Sequence, residues 1–193
     1  MKKLFVIAFS TVLLVSSLHA QHTNFGIKAG YNSASVQVTN SNDWEAKSGF
    51  HVGGLAHIHI NKNFAVQPEV VYSNQGGESG NAKLKLNYIN VPVLLQYMVE
   101  NGLRLQTGPQ IGFLVTAKQK IGNVEVDIDD VYDAVDIAWA FGAGYIFSSG
   151  IGIDARYNLG LNNISDDETF KAKNRVFQIG LFYQFKNPVH KHK

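Results

Sequence analysis

Cysteine is absent from the 193 residues. That excludes disulfide frameworks, thiolate metal sites, thiol catalysis and a lipidated cysteine anchor. Charge is scarce as well: Asp, Glu, Lys and Arg make up 17% of the chain, and proline occurs only 4 times. The 17 basic residues include Lys2 and Lys3, so beyond residue 20 they only balance the 15 acidic ones. A chain with no net charge and no basic stripe does not fit nucleic-acid binding, and no nucleic-acid partner is expected. Long apolar runs are also missing. Past the first 20 residues none approaches the roughly 18 that a membrane helix needs. Helical periodicity is nearly absent. What the chain does have is aromatic side chains and glycine, with 12 Phe, 8 Tyr and 18 Gly against a 45% hydrophobic background. That is too apolar for a disordered chain and enough for one domain of ordinary size.

Residues 1–20 read as a secretory signal peptide. Met1-Lys2-Lys3 is a basic start, Leu4 to Val15 an apolar stretch, and Ser16-Ser17-Leu18-His19-Ala20 a cleavage context ending before Gln21. The apolar stretch is too short for a membrane anchor. The mature protein is therefore expected to leave the cytoplasm.

Two-residue alternation runs along almost all of the rest. Phe25, Ile27, Ala29 and Tyr31 alternate with Gly26, Lys28, Gly30 and Asn32. Phe50, Val52, Gly54, Ala56, Ile58 and Ile60 alternate with His51, Gly53, Leu55, His57 and His59. Further apolar sets are Phe64 to Tyr72, Ile89 to Tyr97, Leu103 to Val115, Ile137 to Phe147, Ile151 to Leu159 and Phe177 to Phe185. That makes about eight strands, each near the 9–11 residues of a tilted membrane-crossing strand.

Three connections are short: Asn61-Lys62-Asn63, Glu100-Asn101-Gly102 and Ser148-Ser149-Gly150. Each ends in a residue that accepts the left-handed position of a three-residue hairpin. Pairing Ile60 with Phe64, Val99 with Leu103 and Phe147 with Ile151 sets apolar opposite apolar, and a one-residue slip would mix the faces. The connections near residues 38–48, 74–83, 118–134 and 160–174 read as long polar loops. Short turns at one end and long loops at the other describe an up-and-down barrel with both termini on the short-turn, periplasmic side.

A soluble barrel would bury the apolar face, whereas a membrane barrel turns it outward. Three features favour outward. Phe64, Tyr97, Phe147, Tyr183 and Phe185 gather near the short-turn end, as an interfacial girdle requires. The other face carries Lys28, Glu69, Gln96, Arg104, Gln106, Gln110, Asp154, Arg156, Asn158 and Gln178, which can pair inside a narrow lumen. Small residues Ala138, Ala140, Gly142 and Gly144 also face inward. In the expected register Gly142 opposes Arg156 and Gly144 opposes Asp154, leaving room for the long side chains. The fold predicted is therefore an all-β, eight-stranded antiparallel transmembrane barrel over residues 21–186, with a packed polar interior and a basic tail at 187–193.

Gln178-Ile179-Gly180-Leu181-Phe182-Tyr183-Gln184-Phe185 resembles the β-signal read by the outer-membrane assembly machinery, except that eight residues follow it. Tyr88-Ile89-Asn90-Val91-Pro92-Val93-Leu94-Leu95-Gln96-Tyr97, Gly108-Pro109-Gln110-Ile111-Gly112 and Asp154-Ala155-Arg156-Tyr157-Asn158-Leu159-Gly160-Leu161 are similar to the PorT-like outer-membrane β-barrel domain of Bacteroidota-type bacteria. The likeness covers essentially all the mature chain. It implies an outer-membrane location and, through the namesake member, a link to type IX protein secretion and gliding. The quoted motifs are structural and carry no site residue.

Candidate chemistry is thin. His57 and His59 share an inward face, with His51 farther along. Glu69 as a third ligand would suit zinc. Histidines filling a polar lumen are the simpler reading, and no metal or other cofactor is expected. His51 and Ser73 face each other in the second hairpin, the pairing that barrel hydrolases of outer membranes use. A third orienting group and an oxyanion donor are not found, so no catalytic residue is assigned and an enzyme is not expected. The acidic stretch Asn123 to Asp133 lacks the glycine of a calcium loop, and reads as a solvated hairpin above the membrane. Asp166-Asp167-Glu168 reads as solvated loop, and His190 to Lys193 as a basic tail rather than ligands. At eight strands the lumen is filled by side chains. The function expected therefore lies in the loops or lipid face: envelope structure, adhesion or docking to an envelope protein. A narrow conduit for small or hydrophobic compounds is the alternative, and a lipid-modifying enzyme the third. Expected partners are outer-membrane lipid, the barrel-assembly machinery and an envelope protein.

Overall fold

The computed structural model describes residues 23–39, 44–165 and 171–185. The expected signal peptide, the Asp166-Asp167-Glu168 cluster and the basic tail lie outside them. Nine strands follow in order: β1 (Thr23–Val38), β2 (Trp44–His59), β3 (Phe64–Ser79), β4 (Ala82–Met98), β5 (Leu103–Ile121), β6 (Val124–Asp127), β7 (Val135–Ile146), β8 (Ile151–Gly160) and β9 (Ala172–Gln184). Each long strand pairs antiparallel with its neighbours, β4 with β5 and β1 with β9 included, so eight strands close into a barrel. Strand β6 is a short flap on the far end of β5.

The period-two pattern sets the faces. Phe25, Ile27, Val70, Leu105, Ile153, Ile179 and Leu181 point outward and are exposed, while Lys28, His51, Glu69, Gln106, Arg156 and Gln178 point inward and are buried. An apolar exterior around a buried polar interior is the membrane arrangement, since lipid is the solvent that such a surface fits. Aromatic girdles bound the apolar band. At the short-turn end Phe64 packs on Tyr97 at 5.3 Å and Tyr183 on Phe185 at 5.3 Å. At the loop end Tyr31 pairs with Phe50, whose ring lies 5.9 Å from Tyr72.

The three short turns form in the expected register. Ile60 donates to the Phe64 carbonyl at 2.9 Å, Val99 to Leu103 at 2.8 Å and Phe147 to Ile151 at 2.8 Å. Gly102 and Gly150 close two of them at φ of 97° and 92°, where a side chain would be strained. Gly142 faces Arg156 and Gly144 faces Asp154, also as expected.

Two expectations need correction. The stretches 74–83 and 118–134 are not loops throughout. Strands β3 and β4 run on to Ser79 and Ala82 around Gly80-Asn81, and β5 reaches Ile121 before β6 returns around Gly122-Asn123. The glycines sit at φ of 56° and 60°, the left-handed opening of a two-residue hairpin turn. At 17 and 19 residues, β4 and β5 outreach a bilayer. Nor is the interior polar throughout. A bulge at Val115 (Tyr88 pairs with Leu114 but Asn87 with Thr116) shifts the faces. Above it β5 turns Ala117 inward, while β4 keeps its parity, and Leu84, Leu86 and Tyr88 join Val36, Ala117, Ile164 and Ala172 in an apolar core at the loop end.

Prolines interrupt the ladder where three consecutive strands meet. Pro68 faces Val93 and Pro92 faces Gln110, with Pro109 beside it, and each lacks the N–H that a central strand donates.

Candidate functional site

The inward-facing charges converge on Glu69 of β3. Arg156 of β8 reaches across the lumen and donates Nη1 to Oε2 at 2.9 Å and Nη2 to Oε1 at 2.8 Å. Lys28 of β1 lies 3.4 Å from Glu69 and 3.0 Å from Asp154, and Arg156 lies 3.5 Å from Asp154. Gln67 donates to Glu69 at 2.8 Å. Two carboxylates and two cations thus neutralise one another, with the Glu69 side chain fully shielded and that of Arg156 at 2% exposure. A square of this kind is costly to desolvate and holds only because each group keeps its partners. Alternation identified the members, but the principal pairing of Arg156 with Glu69, rather than with Asp154 on its own strand, is set by barrel curvature.

The next tier toward the loops is a neutral network. Asn32 Nδ2 donates to Ser73 Oγ at 3.0 Å and Gln178 donates to Asn32 Oδ1 at 3.0 Å, while Asn158 donates to Gln178 at 3.0 Å. His51 Nδ1 lies 2.7 Å from Asn32 Oδ1. His51 and Ser73 are register partners, yet the Ser73 hydroxyl takes hydrogens from Asn32 and Gln75, and both residues are almost fully buried. The pair is part of the lumen packing. Glycines make the space: a Cβ on Gly30 would sit 2.6 Å from His51 Cε1, and one on Gly180 3.0 Å from His51 Nε2.

His57 and His59 do not form a ligand set with Glu69. His57 meets the His59 ring edge-on at 4.5 Å and hydrogen-bonds Gln67 at 3.2 Å, whereas Glu69 is committed to Arg156. Among the described residues no group of three or more His, Cys, Asp or Glu side chains could hold a metal ion.

Above the lumen, the long ends of β3, β4 and β5 with β6 form a blade beyond the loop-side girdle. Its outer face is charged. Lys83 faces Lys120 and Lys85 faces Lys118 across β4–β5, pairs that repel unless countered. Glu78, Glu125 and Asp127 supply the counter-charge, with Lys83–Glu78 at 3.0 Å, Lys85–Glu125 at 2.6 Å and Lys118–Asp127 at 3.1 Å. The hydrogen bond from Lys85 holds the Glu125 carboxyl below its ordinary pKa, and that to Asp127 holds the Lys118 amine above its own. The acidic stretch 123–133 is therefore half blade and half return. Ile128 donates back to the Ala117 carbonyl at 2.9 Å, and Ile128 and Tyr132 pack on the apolar core. The tip leaves Ile121, Val124 and Val126 exposed. Alternation through Lys83-Leu84-Lys85-Leu86 carried the signal for this blade, and the adjacent apolar pair Leu114-Val115 marked the switch of face in β5.

Comparison with known proteins agrees with this architecture. The family model described as "Outer membrane protein beta-barrel domain" matches residues 19–166, more than half of the chain. Neisserial surface protein A (NspA) superposes with a TM-score of 0.61 at 15% identity, covering 83% of this chain and 97% of its own. The attachment invasion locus protein Ail of Yersinia pestis gives 0.57 at 17% identity, covering 85% and 99%. Ail in complex with the heparin analogue sucrose octasulfate gives 0.54 at 16% identity over the same shares. At these identities the likeness is one of fold. No curated protein sequence matches.

Proposed function

This chain belongs to the family of outer membrane protein beta-barrel domains, and from that premise we propose that it serves as a docking or adhesive platform. Its working surface is the blade formed by β3, β4, β5 and β6. One observation carries the reading: the lumen is filled by buried polar side chains around a charge square and capped by an apolar core, while strands longer than a bilayer requires hold a patterned surface above it. Ordered charge pairs on one side and exposed Ile121, Val124 and Val126 on the other give a partner both polar register and apolar area. In this reading residues 1–20 direct export, β9 addresses the chain to the barrel-assembly machinery, and both termini face the periplasm. The PorT-like motifs at 88–97, 108–112 and 154–161 make an envelope secretion complex the first partner to test.

A photo-crosslinker placed at Val126 in cells should capture a discrete envelope protein. One at Val70, which faces lipid, should not, and Val124→Asp should abolish the Val126 product. The protein should also show no unit conductance in planar bilayers and no turnover of lipid A or phospholipid. Steady conductance would replace this reading by the conduit, and turnover would replace it by the enzyme.

A further inference from the structure

The lumen square balances itself, but at the short-turn mouth a buried cation stands outside it. Arg104, the second residue of β5, lies at the short-turn mouth and is 8% exposed. Its guanidinium donates Nη2 to the Gln184 amide oxygen at 3.2 Å and lies 5.8 Å from the Phe182 ring centroid. Among the described residues no carboxylate lies within ion-pair distance of it, since Glu69 and Asp154 are held by Lys28 and Arg156. Counting Lys28, Arg104 and Arg156 against Glu69 and Asp154, this part of the lumen carries one positive charge in excess. A buried charge without a partner is among the costliest groups a fold can keep.

Beside Arg104 is a cavity of about 10 Å³, lined by Arg104, Gln106, Lys28, Gln67, Gln96 and Asp154 with apolar walls from Leu55 and Phe182. Three lining atoms are buried without a partner: the donors Arg104 Nη1 and Gln106 Nε2, and the acceptor Gln96 Oε1. Gln106 is 7% exposed, and its oxygen is already taken by Gln96 at 3.0 Å. Cavity, excess charge and free donors coincide, and a volume of about 10 Å³ leaves room for one small guest. A water would satisfy the donors but leave the charge.

We propose that the short-turn end of the lumen binds one monatomic halide, chloride under physiological conditions, between Arg104 and Gln106. The ion neutralises Arg104, and through the Arg104–Gln184 bond it ties β5 to β9 across the barrel. Entry is from the short-turn mouth, where Arg104 and Gln184 lie.

The test uses the whole protein crystallised from bromide in place of chloride. The expected result is an anomalous peak in the cavity beside Arg104 Nη1 and Gln106 Nε2. A companion measurement follows heat-induced conversion in detergent, in halide against gluconate at equal ionic strength. The midpoint should rise by about 3–6 °C at a halide concentration tenfold above Kd. That rise should vanish in Arg104→Gln and persist in Lys62→Gln, a change in an exposed turn. A cavity with no anomalous signal overturns the proposal, leaving water as its occupant. A midpoint indifferent to halide, or an equal rise in Arg104→Gln, does the same.

Discussion

Replacing Arg156 by leucine tests whether the lumen square is a closed electrostatic unit. The substitution removes two hydrogen bonds to Glu69, at 2.9 and 2.8 Å, and the 3.5 Å contact with Asp154. Stranding one member of a buried ion pair costs about 3–5 kcal/mol. Here Lys28 stays 3.4 Å from Glu69 and 3.0 Å from Asp154 and Gln67 keeps its bond, so the loss belongs at the low end, about 3 kcal/mol. Glu69→Leu should cost a similar amount, because Arg156 then keeps only the 3.5 Å contacts with Asp154 and the Gln106 amide oxygen. In the double variant Lys28 and Asp154 remain as a simple pair, so its loss should fall short of the summed singles by about 2 kcal/mol or more. The assay is urea unfolding of protein refolded into lipid vesicles, followed by tryptophan emission, from Trp139 on the lipid face and Trp44 against the loop-end core. Single variants within about 0.5 kcal/mol of the parent, or a strictly additive double, would refute the square.

Other expectations test the faces and the loop-end core. Ala155→Arg, on the lipid face, should cost about 2–4 kcal/mol in vesicles, and a spin label at Ala155 should be relaxed by oxygen while one at Glu125 is relaxed by a water-soluble reagent. Reversed accessibilities would make the apolar face a core. Gly30→Ala would press a methyl onto the Ile179 carbonyl and the His51 ring, so the variant should lose the mobility difference between unheated and boiled samples on a gel; an unchanged difference would mean that the glycines are not space for His51. Leu86→Ala empties a fully buried position in the loop-end core and should cost about 2–5 kcal/mol. Hydrogen exchange should then quicken in the 82–88 and 114–128 segments while the mid-membrane strands stay protected; uniform quickening would deny the core its independence.

Faces, turns and strand order were legible in the sequence because period-two alternation and three-residue hairpins are local signals. Ile60–Phe64, Val99–Leu103 and Phe147–Ile151 fix their registers within one hairpin each, and His51–Ser73 and Gly142–Arg156 follow by counting. What alternation cannot supply is which inward residues meet across the lumen. Glu69 and Arg156 are 87 positions apart and face one another only once the barrel has closed. The apolar loop end was hidden for another reason. Leu84 and Leu86 alternate with lysines in a segment rich in Gly, Ser and Asn, so composition suggested loop where periodicity still indicated strand. Gly80-Asn81 and Gly122-Asn123 were the turn signals that would have carried the strands outward.

The wall of this barrel depends on one late meeting. Strand β1 hydrogen-bonds β9 over thirteen register pairs, from Gly26–Gln184 to Val38–Ala172. Every other seam joins strands close in the chain, whereas this one waits until the whole polypeptide is available. Before it forms, the molecule is a curved sheet with two open edges and a ring-studded face, which is an aggregation hazard in water. The loop entropy of that last contact must be met before any of its hydrogen bonds form, so closure is intrinsically slow. Anything that shortens the time between making β9 and seating it against β1 therefore governs how much of the protein reaches the membrane intact. Substitutions along Ala29, Tyr31, Ile179 and Leu181 should alter yield more than the stability of the finished barrel.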